Sequence, residues 1–599
     1  MELRSNIKLL NYARKFLLNE TENILPYPVR PQKPQRTGKM PAPLPRATPR
    51  EAGVPAAALD ALFRGLSGEA NGTHTCMVTR GGKVIAEGGY APYTPRIWHV
   101  THSLCKSVTG TAIGMMVDEG LLSLDTHICD IFPEKCSLLT SRRTRALTVR
   151  HLLTMTSGVS FKEAGSVLEA DWIKAFLDAD VLFEPGTQFE YNSMNSYMLS
   201  AIVRKKTGRG LTDYLRPRLF EPLGFGSVAW ETCPQGIEKG GWGLYVFLED
   251  MVKLGLVYMN RGVWTDGDGH TVRILSESWV EQATRPDTVH ENGEEYGFQL
   301  WPHSIDHTFL FNGMFGQYVV VAPELELVVA INAGGVNLFT HSPTYTQICS
   351  FIKAVADAPA PLPPQEEDEA RLRFTLSHLR FGETVPEMPQ RTQTPWYVWA
   401  QKKLSSFKKS PAPSPIPDAA RPLLAKHYTF AKNRAGLLPA VLGCMEDWYT
   451  RGVERVAFAQ RGDALTLLWT EGDLEARIPI GLKGRAAVSV LDFGGNCYEV
   501  GVSGQFATDE DGHIVLKLTL CFLETSSTRL VKCVFDGAGG MTLKLNESPS
   551  LLSAMQSLAE TMRSQSAGSE LFKDLEYMRY LVHRVCLPVA VSTQEEPTT

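Results

Sequence analysis

The chain has 599 residues, of which 43% are hydrophobic and 21% charged, and its formal net charge is −5. This composition is typical of a globular protein, and a chain of this length is expected to form roughly two or three domains. The small negative charge argues against a nucleic-acid partner, and the absence of an apolar run of about eighteen residues argues against a membrane span.

The N-terminal 47 residues are predicted to be a helix followed by a proline-rich leader. The segment MELRSNIKLLNYARKFLLNE places apolar residues at helical spacing but lacks the continuous apolar core of a signal peptide. A docking helix or a frayed leader fits it better than an interfacial helix does. The eleven cysteines are scattered without CxxC pairs, which predicts free thiols, a cytoplasmic location and no metal site.

Changes in composition divide the rest of the chain. The proline-rich segments DAPAPLPPQEEDEA and KKSPAPSPIPDAARP mark boundaries, and beyond the second one the apolar residues alternate with polar ones, as in RVAFAQRGDALTLLWTEGDLEARIPI. We therefore predict a first globular domain over 48–355, a linker with a partial helix over 356–422, a small antiparallel β-domain over 423–548 and a helical segment with a tail over 549–599.

A helix is predicted to begin at Ser103, after a hairpin around Gly81-Gly82. The stretch SLCKSVTGTAIGMMV has apolar residues at helical spacing, and the first amides of a helix are unpaired and lie at its positive end. Ser103 is therefore either a helix cap or a nucleophile, with Lys106 one turn away as its base. Four other Ser-x-x-Lys copies lie in the leader, near linkers or in a lysine-rich segment, and none opens a long apolar helix.

The same region resembles a known family. THSLCKSVTGTAIGMMVDEGLLSLD is similar to the nucleophile segment of the serine β-lactamase-like and penicillin-binding family, in the branch of class C β-lactamases, esterases and 6-aminohexanoate-dimer hydrolases. VRHLLTMTSGV, FEPGTQFEYNSMNSYM, GWGLYVFLEDM, YGFQLW and FNGMFGQYVVV follow in the family's order, over about residues 48–355. The resemblance implies an α/β (α+β) fold, in which an antiparallel sheet is flanked by helices and a helical subdomain spans about 125–230.

The resemblance also implies roles for individual residues. Ser103 corresponds to the acylated nucleophile, Lys106 to its activating partner and Tyr191 to the tyrosine that passes a proton to the leaving group. Class C β-lactamases have asparagine where this chain has Ser193, after Asn192. This difference favours amide or ester hydrolysis of another small substrate, with Asn192 and Ser193 on the substrate side.

The third family motif corresponds to FNGMFGQ and lacks the usual basic residue. Gly313 lets this strand pass close to a substrate, and an N–H near Met314 is expected to complete an oxyanion hole with that of Ser103. Without the basic residue, β-lactams and D-Ala-D-Ala peptides become poorer candidates. Of Trp242 and Tyr245, one is expected to line the pocket.

Five other residues near these motifs are expected to have structural positions. Cys105 is predicted to be a buried thiol, because a helix turns it away from Ser103. His99 and His102 are predicted to be loop or rim residues. Tyr296 and Trp301 are predicted to pack in the core.

The sequence thus predicts a serine hydrolase of small amide or ester substrates that needs no cofactor. Two alternatives stay open: a non-catalytic peptide-binding or scaffold member of the same fold, and a true β-lactamase or D-Ala carboxypeptidase. The C-terminal β-domain is expected to cover the cleft or to mediate contacts in a homo-oligomer, and the oligomeric state is left open.

Overall fold

A computed structural model describes residues 33–335, 342–389, 414–550 and 583–593, apart from positions 167, 291–292, 447 and 538, together with the single positions 15, 552 and 580. The helix predicted in the first twenty residues and most of the helical segment predicted after residue 549 lie outside the described residues. Within them, no helix is both long enough and apolar enough to cross a membrane.

The first domain is an antiparallel sheet with helices on both faces. In chain order its helices and strands are α1 (Ala56–Gly65), β1 (Thr73–Arg80), β2 (Lys83–Gly89), β3 (His99–Thr101), α2 (Lys106–Asp118), α3 (Ile128–Ile131), α4 (Arg142–Arg145), α5 (Val149–Leu153), α6 (Glu163–Ser166), α7 (Trp172–Asp178), α8 (Ser193–Thr207), α9 (Leu211–Leu215), β4 (Ala229–Trp230), β5 (Leu244–Val246), α10 (Leu248–Met259), β6 (Val263–Thr265), β7 (Thr271–Arg273), α11 (Glu277–Ala283), β8 (Thr288–Val289), β9 (Glu295–Tyr296), β10 (Trp301–His303), β11 (Thr308–Gly313), β12 (Gln317–Ala322), β13 (Leu327–Ala333), α12 (Pro343–Ala356) and α13 (Glu366–Ser377).

The central sheet has six strands in the order β10-β11-β12-β13-β1-β2. Its middle strands, QYVVVA in β12 and LVVAINA in β13, are apolar throughout because both faces are covered and every residue is buried. One face packs on α1, α12 and α13, and the other packs on α10. Gly255 lets α10 lie close to the sheet, since a Cβ there would be 3.2 Å from Val319. The predicted fold is confirmed.

The second domain is a ten-stranded antiparallel sheet. Its elements are α14 (Arg421–Leu424), β14 (His427–Phe430), α15 (Ala440–Glu446), β15 (Arg455–Arg461), β16 (Ala464–Glu471), β17 (Leu474–Ile480), β18 (Ala487–Phe493), β19 (Asn496–Thr508), β20 (Ile514–Phe522), β21 (Thr528–Phe535), β22 (Met541–Ser548) and β23 (Val589–Thr593). Burial alternates along β16 and β22, as the periodicity of two predicts. The sheet curves so that Gly481, just after β17, forms a backbone bridge with Ser503 in β19.

Three predictions about organisation need correction. Helix α13 belongs to the first domain rather than to a linker, because it packs on α1 and Gln365 accepts a hydrogen bond from the Ala56 amide at 2.6 Å. The chain after residue 549 is not only helix and tail, since β23 lies between β14 and β22. The expectation of free thiols is wrong for Cys129 and Cys136, which form a disulfide.

Candidate active site

Ser103 lies at a position where a buried stretch of chain opens to solvent. From Trp98 to Met116 every residue is buried except Ser103, which is half-buried. It begins a short 3₁₀ helix, Ser103–Cys105, that runs directly into α2. The fold therefore presents one serine hydroxyl at the surface of an otherwise closed segment.

Lys106 reaches back over the same face of the helix. Its Nζ donates hydrogen bonds to Ser103 Oγ and Ser193 Oγ, both at 2.9 Å, and to the Gly241 carbonyl at 2.8 Å. The residue is 2% exposed, and among the described residues no carboxylate forms an ion pair with it. An amine held in this way is close enough to the Ser103 hydroxyl to exchange a proton with it.

Tyr191 borders the site through its ring. The Lys106 Nζ lies 5.0 Å from the ring centroid, a distance typical of a cation–π contact. Trp301 stacks on the Tyr191 ring at a centroid distance of 5.8 Å, and Tyr296 contacts the ring edge-on at 6.2 Å. The Tyr191 hydroxyl makes no hydrogen bond to Ser103 or Lys106. Tyr296 is buried as predicted, whereas Trp301 is half-buried and sets the plane of the Tyr191 ring.

Strand β11 ends beside the nucleophile segment. A Cβ at Gly313 would lie 3.1 Å from the Leu104 amide nitrogen and 2.9 Å from Gln317 Oε1, so only glycine lets the strand approach this closely. Met314 is half-buried and follows it. Phe315 then adopts a left-handed conformation with φ 66°, and its ring contacts His102 at 4.9 Å. The residues predicted for the oxyanion hole are therefore neighbours in space.

Gln317 joins the two sides of the site, which the sequence did not suggest. Its Oε1 accepts a hydrogen bond from the His102 amide, and its Nε2 donates to the Val100 carbonyl, both at 2.9 Å. The side chain is fully buried. The side-chain amide of Gln317 thus connects the segment before Ser103 with the turn after Gly313 through hydrogen bonds.

Two predicted substrate contacts have structural positions instead. Asn192 is 1% exposed and caps α8: its Oδ1 accepts from the Met194 amide, and its Nδ2 donates to the Val159 and Phe161 carbonyls. Tyr245 is also 1% exposed and packs on Trp98. Neither side chain can meet a substrate.

Trp242, the other residue considered for the pocket wall, is half-buried. It stacks on Trp172 at a centroid distance of 5.8 Å. It also follows Gly241, whose carbonyl accepts from Lys106. Trp242 thus stays a candidate for the pocket wall.

The histidines are not loop or rim residues. His99 lies in β3, and both His99 and His102 are buried. Burial lowers the pKa of His99 to about 4 and, together with the nearby His99 and Lys106, that of His102 to about 3. Such weak proton acceptors are poor general bases. Cys105 is buried as predicted, and burial raises the pKa of its thiol to about 12.

Glu163 is a further residue that sequence patterns did not single out. Its carboxylate accepts a hydrogen bond from the Ser193 amide at 2.9 Å. This contact holds the first turn of α8 beside Lys106. No local sequence pattern identifies Glu163, because its hydrogen-bond partner, Ser193, lies thirty positions away in the chain.

Two exposed groups of residues have metal-ligand chemistry, and both lie at hairpin turns: Asp266, Asp268 and His270, and Asp509, Asp511 and His513. In each group the first aspartate accepts hydrogen bonds from the backbone of the turn. These hydrogen bonds are typical of aspartates that stabilise turns.

We expect Ser193→Ala to lower kcat roughly ten- to a hundredfold, since removing one partner of a buried hydrogen bond costs about 1–3 kcal/mol. The substitution removes an acceptor that fixes the Lys106 amine. The measurement is kcat and KM on a p-nitrophenyl ester. Ser200→Ala, on the same helix but bonded to the Glu238 carbonyl, serves as the control. Equal rates for both variants would contradict this positioning.

The neutral His102 predicts a pH-dependent stability. Because its pKa is about 3 in the folded chain, the unfolded chain alone binds this proton between pH 6.5 and 3. The free energy of unfolding should therefore fall by about 1.4 kcal/mol for each pH unit below 6.5, and be unaffected above it. Urea unfolding at pH 7.5, 6.5 and 5.5 measures this slope, and His102→Gln should be less steep by that amount. Identical slopes would contradict the prediction.

Comparisons with known proteins identify similar sequences and structures. Residues 59–340 match the family model for beta-lactamase. The chain is 27% identical to 6-aminohexanoate-dimer hydrolase of Paenarthrobacter ureafaciens over 39% of this chain and 63% of the relative. It is 21% identical to penicillin-binding protein 4* of Bacillus subtilis (strain 168) over 55% and 78%. The structure of the octameric penicillin-binding protein homologue from Pyrococcus abyssi covers 78% of this chain and 95% of that one, with 16% identity and a TM-score of 0.38.

Coverage of the curated relatives is incomplete: the chain spans less than two thirds of the 6-aminohexanoate-dimer hydrolase. The family recognised in the sequence is nevertheless confirmed, and the matched region contains the Ser103, Lys106 and Tyr191 positions. The chain therefore carries a domain of the beta-lactamase family, which spans residues 59–340.

Proposed function

We propose that the protein is a serine hydrolase that cleaves small amide or ester substrates through an acyl-enzyme on Ser103. The observation that carries this proposal is the 2.9 Å hydrogen bond from the buried Lys106 amine to the half-buried Ser103 hydroxyl. A helix cap has no need of a buried lysine, whereas a nucleophile needs a base within hydrogen-bond distance.

In this mechanism Ser103 Oγ attacks the substrate carbonyl carbon while Lys106 Nζ takes the hydroxyl proton. The carbonyl oxygen becomes an oxyanion, which in this mechanism accepts hydrogen bonds from the backbone N–H groups of Ser103 and Met314. As the C–N or C–O bond breaks, the proton passes from Lys106 through the Tyr191 hydroxyl to the leaving amine or alcohol. Water then attacks the acyl carbon and gives its proton to Lys106. The bond between the acyl carbon and Ser103 Oγ breaks, Lys106 returns the proton to Oγ, and the acid is released.

The substrate class is inferred from two features. The segment 311–317 has no basic residue to anchor a carboxylate, which disfavours classical β-lactams and D-Ala-D-Ala peptides. The matched 6-aminohexanoate-dimer hydrolase is named for a substrate joined by an amide bond. Small amides and esters without a required carboxylate are therefore the substrates to test first.

Labelling with a fluorophosphonate probe, followed by intact-mass spectrometry, tests the proposal. One adduct is expected on the native protein and none on Ser103→Ala. The matched control is Ser350→Ala, which removes the serine of an exposed Ser-x-x-Lys copy in α12 and should still be labelled. Absence of an adduct on well-folded native protein would overturn the proposal and favour a non-catalytic binding role. Labelled penicillin, p-nitrophenyl esters and short amides then define the substrate class.

A further inference from the structure

The turn between β20 and β21, residues 523–527, is buried although hairpin tips usually face solvent. Each of its five residues is at most 3% exposed. It emerges from the C-terminal sheet and packs on the first domain, where a Cβ at Gly334 would lie only 2.2 Å from the Ser526 carbonyl oxygen. The two domains leave no room for a side chain here.

This turn supplies a partner for the strand that leads to the nucleophile. Strand β3 pairs with β5 along one edge. On the other side, the Val100 amide donates to the Glu524 carbonyl at 2.8 Å. A buried N–H without a hydrogen-bond partner costs free energy. This bond from the second domain therefore satisfies the Val100 amide, three residues before Ser103.

The Glu524 side chain fixes the turn in place. Its carboxylate accepts hydrogen bonds from the Trp98 indole at 2.5 Å and from the Glu499 amide at 3.2 Å, and it pairs with Lys33 at 2.9 Å. The Lys33 and Glu524 side chains are 2% and 4% exposed. An ion pair this deeply buried holds one geometry rather than several.

Ser526 connects the turn to the oxyanion side of the site. Its hydroxyl donates to the Ala333 carbonyl at 2.9 Å and accepts from Gln317 Nε2 at 3.4 Å. Gln317 in turn bonds the backbone of Val100 and His102. A continuous series of contacts therefore runs from the second domain to the residue before Ser103.

We propose that the 523–527 turn is a positioning element for the nucleophile: Ser526, acting through Gln317, holds the His102–Ser103 backbone at its distance from Gly313. The C-terminal domain is then a part of the catalytic apparatus rather than an accessory cover. This inference rests on the proposed function of Ser103. The turn itself touches neither substrate nor reacting atoms.

The test compares Ser526→Ala with two other variants in the full-length protein. Ser526→Ala is expected to lower kcat and the rate of fluorophosphonate labelling about ten- to a hundredfold with little change in KM, because small misplacements of a nucleophile have effects of this size. Ser526→Thr keeps the hydroxyl and should restore much of the rate. Thr542→Ala, in β22 at the end of the strand away from the 523–527 turn, should behave as the native protein.

A purely structural role would lower the melting temperature of Ser526→Ala while leaving kcat of the folded protein unchanged, and that result would overturn the inference. If Ser526 acts through Gln317, adding Ser526→Ala to Gln317→Ala should cause no further loss; additive losses would overturn it too. Native protein that takes no label would overturn the proposed function itself, whereas normal labelling of Ser526→Ala would overturn this inference alone.

Discussion

Replacing Lys106 with methionine is expected to lower kcat/KM about a hundred- to ten-thousandfold, the range that a positioned acid–base group contributes. Methionine has a similar length but no amine, so the Ser103 hydroxyl loses its proton acceptor and Ser193 loses its donor. The measurement is ester hydrolysis together with the rate of fluorophosphonate labelling.

Although Lys106→Met is expected to lose activity, its melting temperature is expected to equal or exceed that of the native protein. Lys106 is buried without a carboxylate partner among the described residues, so an apolar side chain of similar length removes a polar group whose burial costs free energy. A melting temperature at or above that of the native protein would separate loss of chemistry from loss of fold. Lys206→Met, on the exposed side of α8, is the control and should change neither property. Hydrolysis by Lys106→Met at the native rate would rule out Lys106 as the base.

A second large effect is expected in the C-terminal sheet, where Glu547→Ala should lower the free energy of unfolding by about 3–5 kcal/mol. Arg529 Nη1 donates to Glu547 Oε2 at 3.0 Å, and the two side chains are 2% and 0% exposed. Without the carboxylate, the guanidinium stays buried with the Leu438 carbonyl as a hydrogen-bond acceptor. Urea unfolding monitored by circular dichroism measures the loss.

The pair formed by Arg455 and Glu475 provides the control. Its side chains are 64% and 79% exposed and its charged atoms lie 3.9 Å apart, so Glu475→Ala should cost less than about 1 kcal/mol. The double variant Arg529→Met/Glu547→Leu should be far more stable than Glu547→Ala, because it leaves no unpaired charge in the core. Equal losses for Glu547→Ala and Glu475→Ala would contradict the argument from burial.

Sequence patterns alone indicated the parts of the site that depend on local geometry. Helical spacing places Lys106 one turn after Ser103, and the structure joins the two side chains at 2.9 Å. Alternating burial in the C-terminal strands likewise follows from the period of two in the sequence. Tyr191, Ser193 and Gly313 were indicated by resemblance to the family, and the structure brings all three beside Lys106 or the nucleophile segment.

Only the tertiary structure decided which residues are buried at the site and what they contact. His99 and His102 lie within the protein because β3 is covered by β5 on one edge and by the 523–527 turn on the other. Asn192 has the same chemistry as a substrate-binding amide, yet its position at the start of α8 commits it to backbone partners.

The sequence by itself therefore indicated Ser103 and Lys106 as a pair, the family of the first domain and the two kinds of domain, because periodicity and short spacings are set by the local geometry of helices and strands. The structure decided the role of Gln317 and the contact of Ser526 with it, which are 209 residues apart. Contacts over such separations depend on how whole domains pack, and a glutamine or a serine looks the same in sequence whether it is exposed or holds an active site together.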